Sequence, residues 1–231
     1  GSEFTAFDDV VCRRAAREPF HYIVGHKEFY GLDFDVSSGV LIPRPETEIL
    51  VEDAISIISG SVDPTFFEIG VGSGCISVSI LHHAKGAHAD GVDISGDALT
   101  LAAKNAVRHG VADRLTLRKA DVYEGLAGSF DLIVSNPPYI PNDDLASLQA
   151  EVGQFEPHAA LFGGDDGLDA VRRIVLGASE FLKPRGYLLI EIGFGQAESV
   201  KGMFDAAFWD GVEFLQDMQK IPRIAKARSR S

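Results

Sequence analysis

From residue 65 onward, short apolar runs that are typical of buried strands alternate with longer amphipathic runs that are typical of helices. The strand candidates are TFFEIG, ADGVDI, LTLRKA, FDLIVSN and GYLLIEIG, and the helix candidates are CISVSILHHA, SGDALTLAAKNAVRHG with Ser95 as its cap, and DGLDAVRRIVLGASEFL. This alternation indicates βαβ units and therefore a parallel sheet. The final runs, VEFLQDM and IAKARS, predict an antiparallel strand pair. We predict an α/β, Rossmann-like fold with a seven-stranded, mostly parallel sheet, helices on both faces and a C-terminal antiparallel strand pair.

The first part of the chain has a different pattern. Residues 5–18 predict one helix, EFYGLDFDV predicts a small hairpin that turns at Gly31 and Leu32, and ETEILVEDAISII predicts an amphipathic helix. This part is too short to be a domain, so we expect it to lead into the main domain. Residues 1–4, Gly-Ser-Glu-Phe, are typical of a remnant of cloning.

Composition narrows the classes of function. There are 34 acidic and 21 basic side chains, a formal charge of −13, which disfavours nonspecific attraction to nucleic-acid phosphates. No signal peptide or membrane-spanning run is present, so we predict a cytoplasmic protein without a membrane partner. Cys12 and Cys75 are expected to be free thiols. His82 and His83 lack metal-site spacing, so we expect them on a solvated helix face and predict no metal site.

A glycine-rich turn follows the first strand of the predicted sheet. The run EIGVGSGC places Gly70, Gly72 and Gly74 before a helix, at the edge where parallel sheets bind ligands. Glycine lets the backbone approach a ligand that a Cβ would repel. Cys75 stands where the dinucleotide fingerprint has its third glycine, which makes a pyrophosphate-binding loop a poor interpretation.

Two carboxylates follow the next two strands. Asp93 ends the second strand, where it can accept hydrogen bonds from both hydroxyls of a ribose. Asp121 follows the third strand, where it can meet the exocyclic amine of an adenine. A single aspartate at a strand end is more often a cap than a ligand contact. Together with the glycine turn they indicate a nucleoside without phosphate, which fits S-adenosylmethionine.

The run DLIVSNPPYIP begins as a buried strand and continues into Asn136, Pro137, Pro138 and Tyr139. Proline lacks a backbone N–H and fixes φ, so the chain must leave the sheet as a stiff, extended loop with carbonyl groups free to accept. A turn usually contains Gly, Asp or Asn with a single Pro, so a purely structural turn explains this segment poorly.

In this order, the motifs resemble class I S-adenosylmethionine-dependent methyltransferases, and more narrowly the release-factor glutamine methyltransferases, the PrmC or HemK family. The resemblance covers roughly residues 12–228. It is carried by VLIPRPETEILVE, EIGVGSGCISVSI, VDISGDALTLAAKNA, VSNPPYIP and EPHAALFGGDDGLD. The NPPY motif alone is shared with adenine-N6 DNA methyltransferases and does not choose a substrate.

The resemblance implies methyl transfer from S-adenosylmethionine to the glutamine side-chain amide of the Gly-Gly-Gln motif in peptide-chain release factors. Asn136 and Pro137 would be catalytic, and with Pro138 and Tyr139, which would pack on the target, they would bind the substrate. The implied cofactor contacts are Glu68, Ile69, Gly70, Val71, Gly72, Gly74, Asp93, Asp121, Val122 and Asn136, with Arg44 and Thr47 from the closing loop IPRPET. Alternatively, the prolines of IPRPET only shape the entry to a helix.

The resemblance also implies a domain division and two departures. Residues 5–45 would be the remnant of an N-terminal helical domain plus a hairpin linker, and residues 46–231 the methyltransferase domain. That helical domain helps to grip the protein substrate, so we expect the chain to bind cofactor better than it turns over. Val71 and Val122 stand where relatives often have Thr and an aromatic residue, which would loosen cofactor contacts.

Two other functions remain open from the sequence. An adenine-N6 nucleic-acid methyltransferase would also use NPPY, although the negative charge and the lack of a DNA-reading domain oppose it. A non-enzymatic cofactor-binding module is opposed by Asn136 and its prolines, because a scaffold does not need hydrogen-bond acceptors beside a methyl donor. Release factors are therefore the expected partners, and direct nucleic-acid binding is not expected.

Overall fold

The computed structural model of the protein describes residues 2–230, and the side chains from residue 7 onward. Residue 1 of the predicted cloning remnant lies outside the described residues. The helices are α1 (Ser2–Ala15), α2 (Phe20–Val24), α3 (Glu48–Ile58), α4 (Cys75–His83), α5 (Gly96–Arg108), α6 (Ala150–Phe155), α7 (Asp169–Phe181) and α8 (Ala197–Lys201). The strands are β1 (His26–Phe29), β2 (Leu32–Asp35), β3 (Thr65–Ile69), β4 (His88–Asp93), β5 (Leu115–Lys119), β6 (Phe130–Ser135), β7 (Leu182–Glu191), β8 (Trp209–Gln216) and β9 (Pro222–Ser229).

The central sheet has seven strands in the order β5-β4-β3-β6-β7-β9-β8. Strands β3 to β7 pair in parallel, and β9 pairs antiparallel with both β7 and β8. This confirms the predicted fold class and its antiparallel C-terminal pair. The order reverses around β3, which lies between β4 and β6, so the carboxyl ends of these three strands meet at one edge. In open α/β sheets this switch point is the usual ligand-binding crevice.

Alternate residues of the central strands pack into two separate cores, because side chains along a strand point to opposite faces. Phe66 and Leu132 belong to the core that packs beneath α3, α4 and part of α5. Phe67 and Ile133 belong to the core beneath α7 and α8. All four side chains are fully buried. The sheet is therefore covered on both faces, which explains why its strands read as continuous apolar runs.

The N-terminal elements differ in detail from the prediction. Helix α1 ends at Ala15 rather than at residue 18, because Arg17 adopts a left-handed φ of 70°. The short helix α2 was not predicted. In the hairpin Phe29 pairs with Leu32, so the turn is at Tyr30 and Gly31, and the predicted turn at Gly31 and Leu32 is wrong by one residue. Both turn residues have positive φ, 50° and 75°, as a two-residue turn of the mirror-image type requires.

Strand β7 begins earlier than predicted. Pairing with β6 starts at Leu182, and the register shifts opposite Phe130 and Leu132 before regular pairing resumes at Tyr187. Pro184 cannot donate a backbone hydrogen bond, and Arg185 has a φ of 63°, so this entry to the strand is a bulge.

Several smaller expectations have outcomes in the described residues. Cys12 is exposed, Cys75 is buried, and both are free thiols, as predicted. His83 is exposed, but His82 is half-buried and packs edge-on against His109, so the predicted solvated face holds for only one of the pair. No group of three or more His, Cys, Asp or Glu residues within 2–230 is arranged to hold a metal ion. None of the described helices is long and apolar enough to span a membrane.

Candidate active site

A cavity of about 470 Å³ opens at the switch point of the sheet. Its walls come from the loop before α3, the glycine turn after β3, the ends of β4 and β6, the residues after β5, and one side of α7. Its lining is mainly apolar, with a few polar groups, which is the usual composition of a small-molecule site of this size. The cavity therefore brings together most of the residues that the sequence places at separate strand ends.

The glycine turn forms the floor of this cavity. Gly70, Gly72 and Gly74 all have positive φ, 76°, 56° and 81°, which side chains strongly disfavour. A Cβ on Gly74 would also lie 3.0 Å from the Cβ of Ala102 on α5. Gly74 thus serves the packing of α4 against α5 and does not itself line the cavity, whereas Gly70 and Gly72 do.

Asp93 lines the cavity and is held by two backbone groups. Its Oδ2 accepts from the Gly72 N–H at 2.9 Å, and its Oδ1 accepts from the Ser95 N–H at 2.8 Å. Each carboxylate oxygen keeps a second lone pair, so the group can still accept from two hydroxyls. The predicted ribose acceptor is therefore fixed in place by its own surroundings.

Asp121 and Val122 line the opposite wall. Oδ2 of Asp121 accepts from Nη2 of Arg173 on α7 at 2.8 Å, a partner that the sequence did not predict. Val122 has a φ of 52°, which is rare for a β-branched residue. Its backbone is therefore held by its surroundings in a strained conformation beside the cavity.

Glu68 lies beneath the glycine turn and not on the cavity wall. Its side chain is fully buried, and Oε2 accepts from both the backbone N–H and the hydroxyl of Ser77 on α4. Burial raises the pKa of Glu68 to about 8. The predicted direct contact between Glu68 and the cofactor is therefore replaced by a bond that ties β3 to α4.

The segment of residues 136–138 lines the cavity at the end of β6. Nδ2 of Asn136 donates to Oγ1 of Thr47 at 3.1 Å, which leaves its Oδ1 without a donor among residues 2–230. No described group donates to the carbonyl oxygens of Asn136 or Pro137 either. The segment therefore presents several unused acceptors beside the cavity.

A second backbone segment supports this loop from behind. Ile140 donates to the carbonyl of Leu161, and Gly163 donates to the carbonyl of Ile140, at 2.9 and 3.0 Å. A Cβ on Gly163 would lie 2.4 Å from the carbonyl oxygen of Pro138, and one on Gly167 would lie 2.2 Å from that of Tyr139. Only glycine allows this approach of the two segments.

Tyr139 does not line the cavity, in contrast to the prediction that it packs on the substrate. Its hydroxyl donates to Oε1 of Glu191 at 3.3 Å, and its carbonyl accepts from Nε2 of Gln196 at 2.9 Å. Burial raises the pKa of the Tyr139 hydroxyl. These contacts give Tyr139 a role in holding the loop.

Arg44 and Thr47 line the cavity from the loop before α3. Nη2 of Arg44 donates to Oε1 of Glu156 at 2.6 Å, and the Thr47 hydroxyl donates to Oε2 of Glu191 at 2.6 Å. Both glutamates are almost fully buried, and neither was predicted as part of the site. Glu156 opens the motif EPHAALFGGDDGLD and Glu191 lies in the predicted strand GYLLIEIG, but nothing local in the sequence marks a partner for either.

The donor and acceptor set fits S-adenosylmethionine. Asp93 offers acceptors for ribose hydroxyls, Asp121 offers one for an amine, and the backbone at Gly70 and Gly72 allows close approach. The arginines on the described wall, Arg44 and Arg173, are each paired with a carboxylate. A phosphate-bearing cofactor would therefore have to break an ion pair, whereas a phosphate-free nucleoside would not.

Comparison with known proteins gives a consistent result at the level of sequence. A family model described as the methyltransferase small domain matches residues 46–151. A release factor glutamine methyltransferase from Geobacter sulfurreducens is 48% identical over 227 residues, which cover 98% of this chain and 78% of that protein. Another, from Cereibacter sphaeroides, is 44% identical over 224 residues, which cover 96% of this chain and 78% of that protein.

Solved structures share the fold at low sequence identity. A methyltransferase from Pyrococcus furiosus superposes with a TM-score of 0.67 at 16% identity, covering 95% of this chain and 99% of that one. The ribosomal protein L11 methylase from Lactobacillus delbrueckii subsp. bulgaricus gives a TM-score of 0.58 at 18% identity, covering 85% and 84%. The fold is thus that of methyltransferases, and the closer sequence identity shows that this chain belongs to the release factor glutamine methyltransferase family.

Proposed function

We propose that this protein transfers a methyl group from S-adenosylmethionine to the side-chain amide nitrogen of the glutamine in the Gly-Gly-Gln motif of peptide-chain release factors. The observation that carries the proposal is the unused acceptor pair beside the cavity, Oδ1 of Asn136 and the carbonyl of Pro137, in a chain of this family. Release factors are translation proteins, so the proposed substrate is consistent with the predicted cytoplasmic location.

The chemical problem is the weak nucleophilicity of an amide nitrogen, because its lone pair is delocalised into the carbonyl group. S-adenosylmethionine supplies, when bound, a methyl group that its sulfonium already makes electrophilic. The protein has to orient the nitrogen. If Oδ1 of Asn136 and the carbonyl of Pro137 each accept one N–H of the target amide, conjugation weakens and the lone pair points in a fixed direction. Positioning of this kind lowers barriers by up to about 7–11 kcal/mol.

The remaining site residues are proposed to bind the cofactor. Asp93 would accept from the ribose, Asp121 and Val122 would border the adenine, and Ile69, Val71 and the glycines would lie beneath it. Thr47 and Arg44 would close the cavity from the loop before α3. The domain division predicted from the sequence, with the methyltransferase domain at residues 46–231, remains part of this proposal.

Labelled S-adenosylmethionine with three acceptors tests the function. We expect label in a release factor that carries Gly-Gly-Gln, and none in the same release factor with that glutamine replaced by alanine. Adenine-containing DNA is the third acceptor and tests the alternative substrate class, which the charge of −13 disfavours. Label in the DNA, or in the alanine variant at the same rate, would contradict the proposal.

A further inference from the structure

We propose that Glu191, acting through Thr47, sets the orientation of the Asn136 side-chain amide so that its oxygen faces the cavity. Glu191 and Thr47 are positioning residues. Thr47 acts on the target amide through Asn136, and Glu191 acts on it through Thr47 and Asn136. The inference rests on the proposed function, since it assigns a task to Asn136 within that reaction. It extends that function to Glu191 and Thr47, which would act on the target amide through their hydrogen bonds to Asn136.

The direction of the chain follows from proton counting. A carboxylate only accepts, and a threonine hydroxyl has a single proton. The Thr47 hydroxyl donates that proton to Oε2 of Glu191 at 2.6 Å. Its oxygen can then only accept from Asn136, so the Asn136 NH₂ group must face Thr47, at 3.1 Å. The amide oxygen of Asn136 is left on the other side, where an acceptor for the target nitrogen is needed.

The fold holds the three side chains close together although they are distant in sequence. Ser135 pairs with Ile190 in the parallel pair of β6 and β7, so Asn136 and Glu191 follow neighbouring positions on adjacent strands. Thr47 reaches them from the Pro45–Thr47 turn before α3. Thr47 and Glu191 are each only 2% exposed, so water does not compete for the hydrogen bond between them.

The other oxygen of Glu191 is also engaged. Tyr139 donates to Oε1 at 3.3 Å, so both carboxylate oxygens accept from a hydroxyl. Two further charged groups act on Glu191: Glu46 from the same turn as Thr47, and Arg223 from β9. The buried thiol of Cys75 on α4 also faces it, and burial and, to a smaller extent, the charge of Glu191 raise the pKa of that thiol. Burial raises the pKa of Glu191 to about 7, the hydroxyl bonds and Arg223 oppose this, and Glu46 adds to it.

Protonation of Glu191 reverses the donor and acceptor roles in the hydrogen bonds that join Glu191, Thr47 and Asn136. A neutral carboxyl can donate to Thr47, whose hydroxyl then donates to the Asn136 oxygen, and the NH₂ group turns towards the cavity. The target amide then meets a donor where it needs an acceptor. We therefore expect turnover to rise with pH through about 7, as Glu191 loses its proton.

Nuclear magnetic resonance of the cofactor-free protein tests the chain without any reaction. The side-chain ¹⁵N–¹H signals of Asn136 should shift with pH, with a midpoint near 7. The shift should be absent in Glu191→Gln and Thr47→Val and present in Thr47→Ser, which keeps the hydroxyl. Asn142, an exposed asparagine that does not line the cavity, is the internal control. A pH shift that persists in Thr47→Val would overturn the inference.

Kinetics with a release factor gives the second measurement. At saturating cofactor, Thr47→Val should lower kcat by about tenfold, and Thr47→Ser, which keeps the hydroxyl, should recover most of the wild-type kcat. Glu191→Gln should flatten the pH dependence of kcat. A Thr47→Val protein that melts like the wild type and keeps its kcat would overturn the inference and leave the proposed function intact. An inactive wild type with the expected Asn136 shifts would contradict the function alone.

Discussion

The two sides of the cavity are fixed in different ways. On the proposed cofactor side, Asp93 is held by backbone N–H groups of Gly72 and Ser95. On the proposed substrate side, Asn136 is held by the side chain of Thr47, which is held in turn by Glu191. Every residue type except proline has a backbone N–H donor, whereas a hydroxyl or carboxylate is lost by one substitution. The substrate side should therefore be the more sensitive to mutation of residues that do not touch a ligand.

The largest expected effect separates the two sides directly. Asn136→Ala removes one of two acceptors for the target nitrogen and should lower turnover by on the order of a hundredfold or more, as loss of one preorganised polar group does elsewhere. Cofactor Kd from calorimetry should stay within a few fold. Asn142→Ala is the matched control. Wild-type turnover in Asn136→Ala would mean that the prolines form only a turn.

Replacement of Asp93 should affect the proposed cofactor side and leave the proposed substrate side intact. Asp93→Ala removes a carboxylate that is positioned for two hydroxyls, so cofactor binding should weaken by about 1–3 kcal/mol. At saturating cofactor the turnover should return to within a few fold of the wild type. Asp97→Ala, an exposed acid in the first turn of α5, controls for lost charge. Unchanged affinity in Asp93→Ala would remove this residue from the cofactor site.

Glu68 provides a test of stability without any ligand. Its folded pKa lies above the unfolded value, so the ionised form opposes folding. Stability from this group is fully present below about pH 4.5 and is lost as the pH rises towards about 8. Glu68→Gln cannot ionise and should flatten the pH dependence of the melting temperature across this window, where a tenfold change in the ionisation constant corresponds to about 1.4 kcal/mol.

Glu68→Gln can also give the opposite result. An unchanged slope between pH 5 and 8 in this variant would assign the pH dependence to other groups. Glu191 shares part of the same window, so the double variant with Glu191→Gln is the control. If both glutamates contribute, its slope should be shallower than that of either single variant.

The smallest effect is expected at the rim of the cofactor side. Arg173 and Asp121 form an exposed ion pair, and such pairs contribute less than about 1 kcal/mol. Arg173→Gln should change the stability by less than that, and it should change cofactor Kd by less than about threefold. A larger loss of affinity would mean that Arg173 itself contacts the ligand.

The sequence predicts the fold well because its strongest signals are local. Apolar runs predict the strands of the central sheet, and the predicted cap of α5 is confirmed, because the Ser95 side chain accepts from the Ala98 N–H. Less local features were missed or shifted. The hairpin turn is displaced because Tyr30 tolerates a positive φ, and the left-handed Val122 follows no propensity rule.

The site residues show the same difference between features with a local sequence signal and features that depend on long-range contacts. The glycine turn, Asp93 and residues 136–138 lie at strand ends, so topology alone brings them to one cavity. Glu156 and Glu191 reach the site through partners 112 and 144 residues away, and no periodicity reports such contacts. Glu68 looked like a cavity residue because it precedes the glycine turn, but strand alternation directs its side chain under α4.

Gly163 and Gly167 lie behind the segment of residues 136–139 and fix its position in the cavity wall. The backbone at these two glycines packs directly against the carbonyl groups of Pro138 and Tyr139, so these residues cannot move away from the cavity. The shape of this segment is set when the chain folds, before any protein docks. An arriving glutamine therefore loses freedom alone, without a loop that must become ordered around it. Because this wall cannot move, only a side chain of the right length can place its amide nitrogen beside the acceptors.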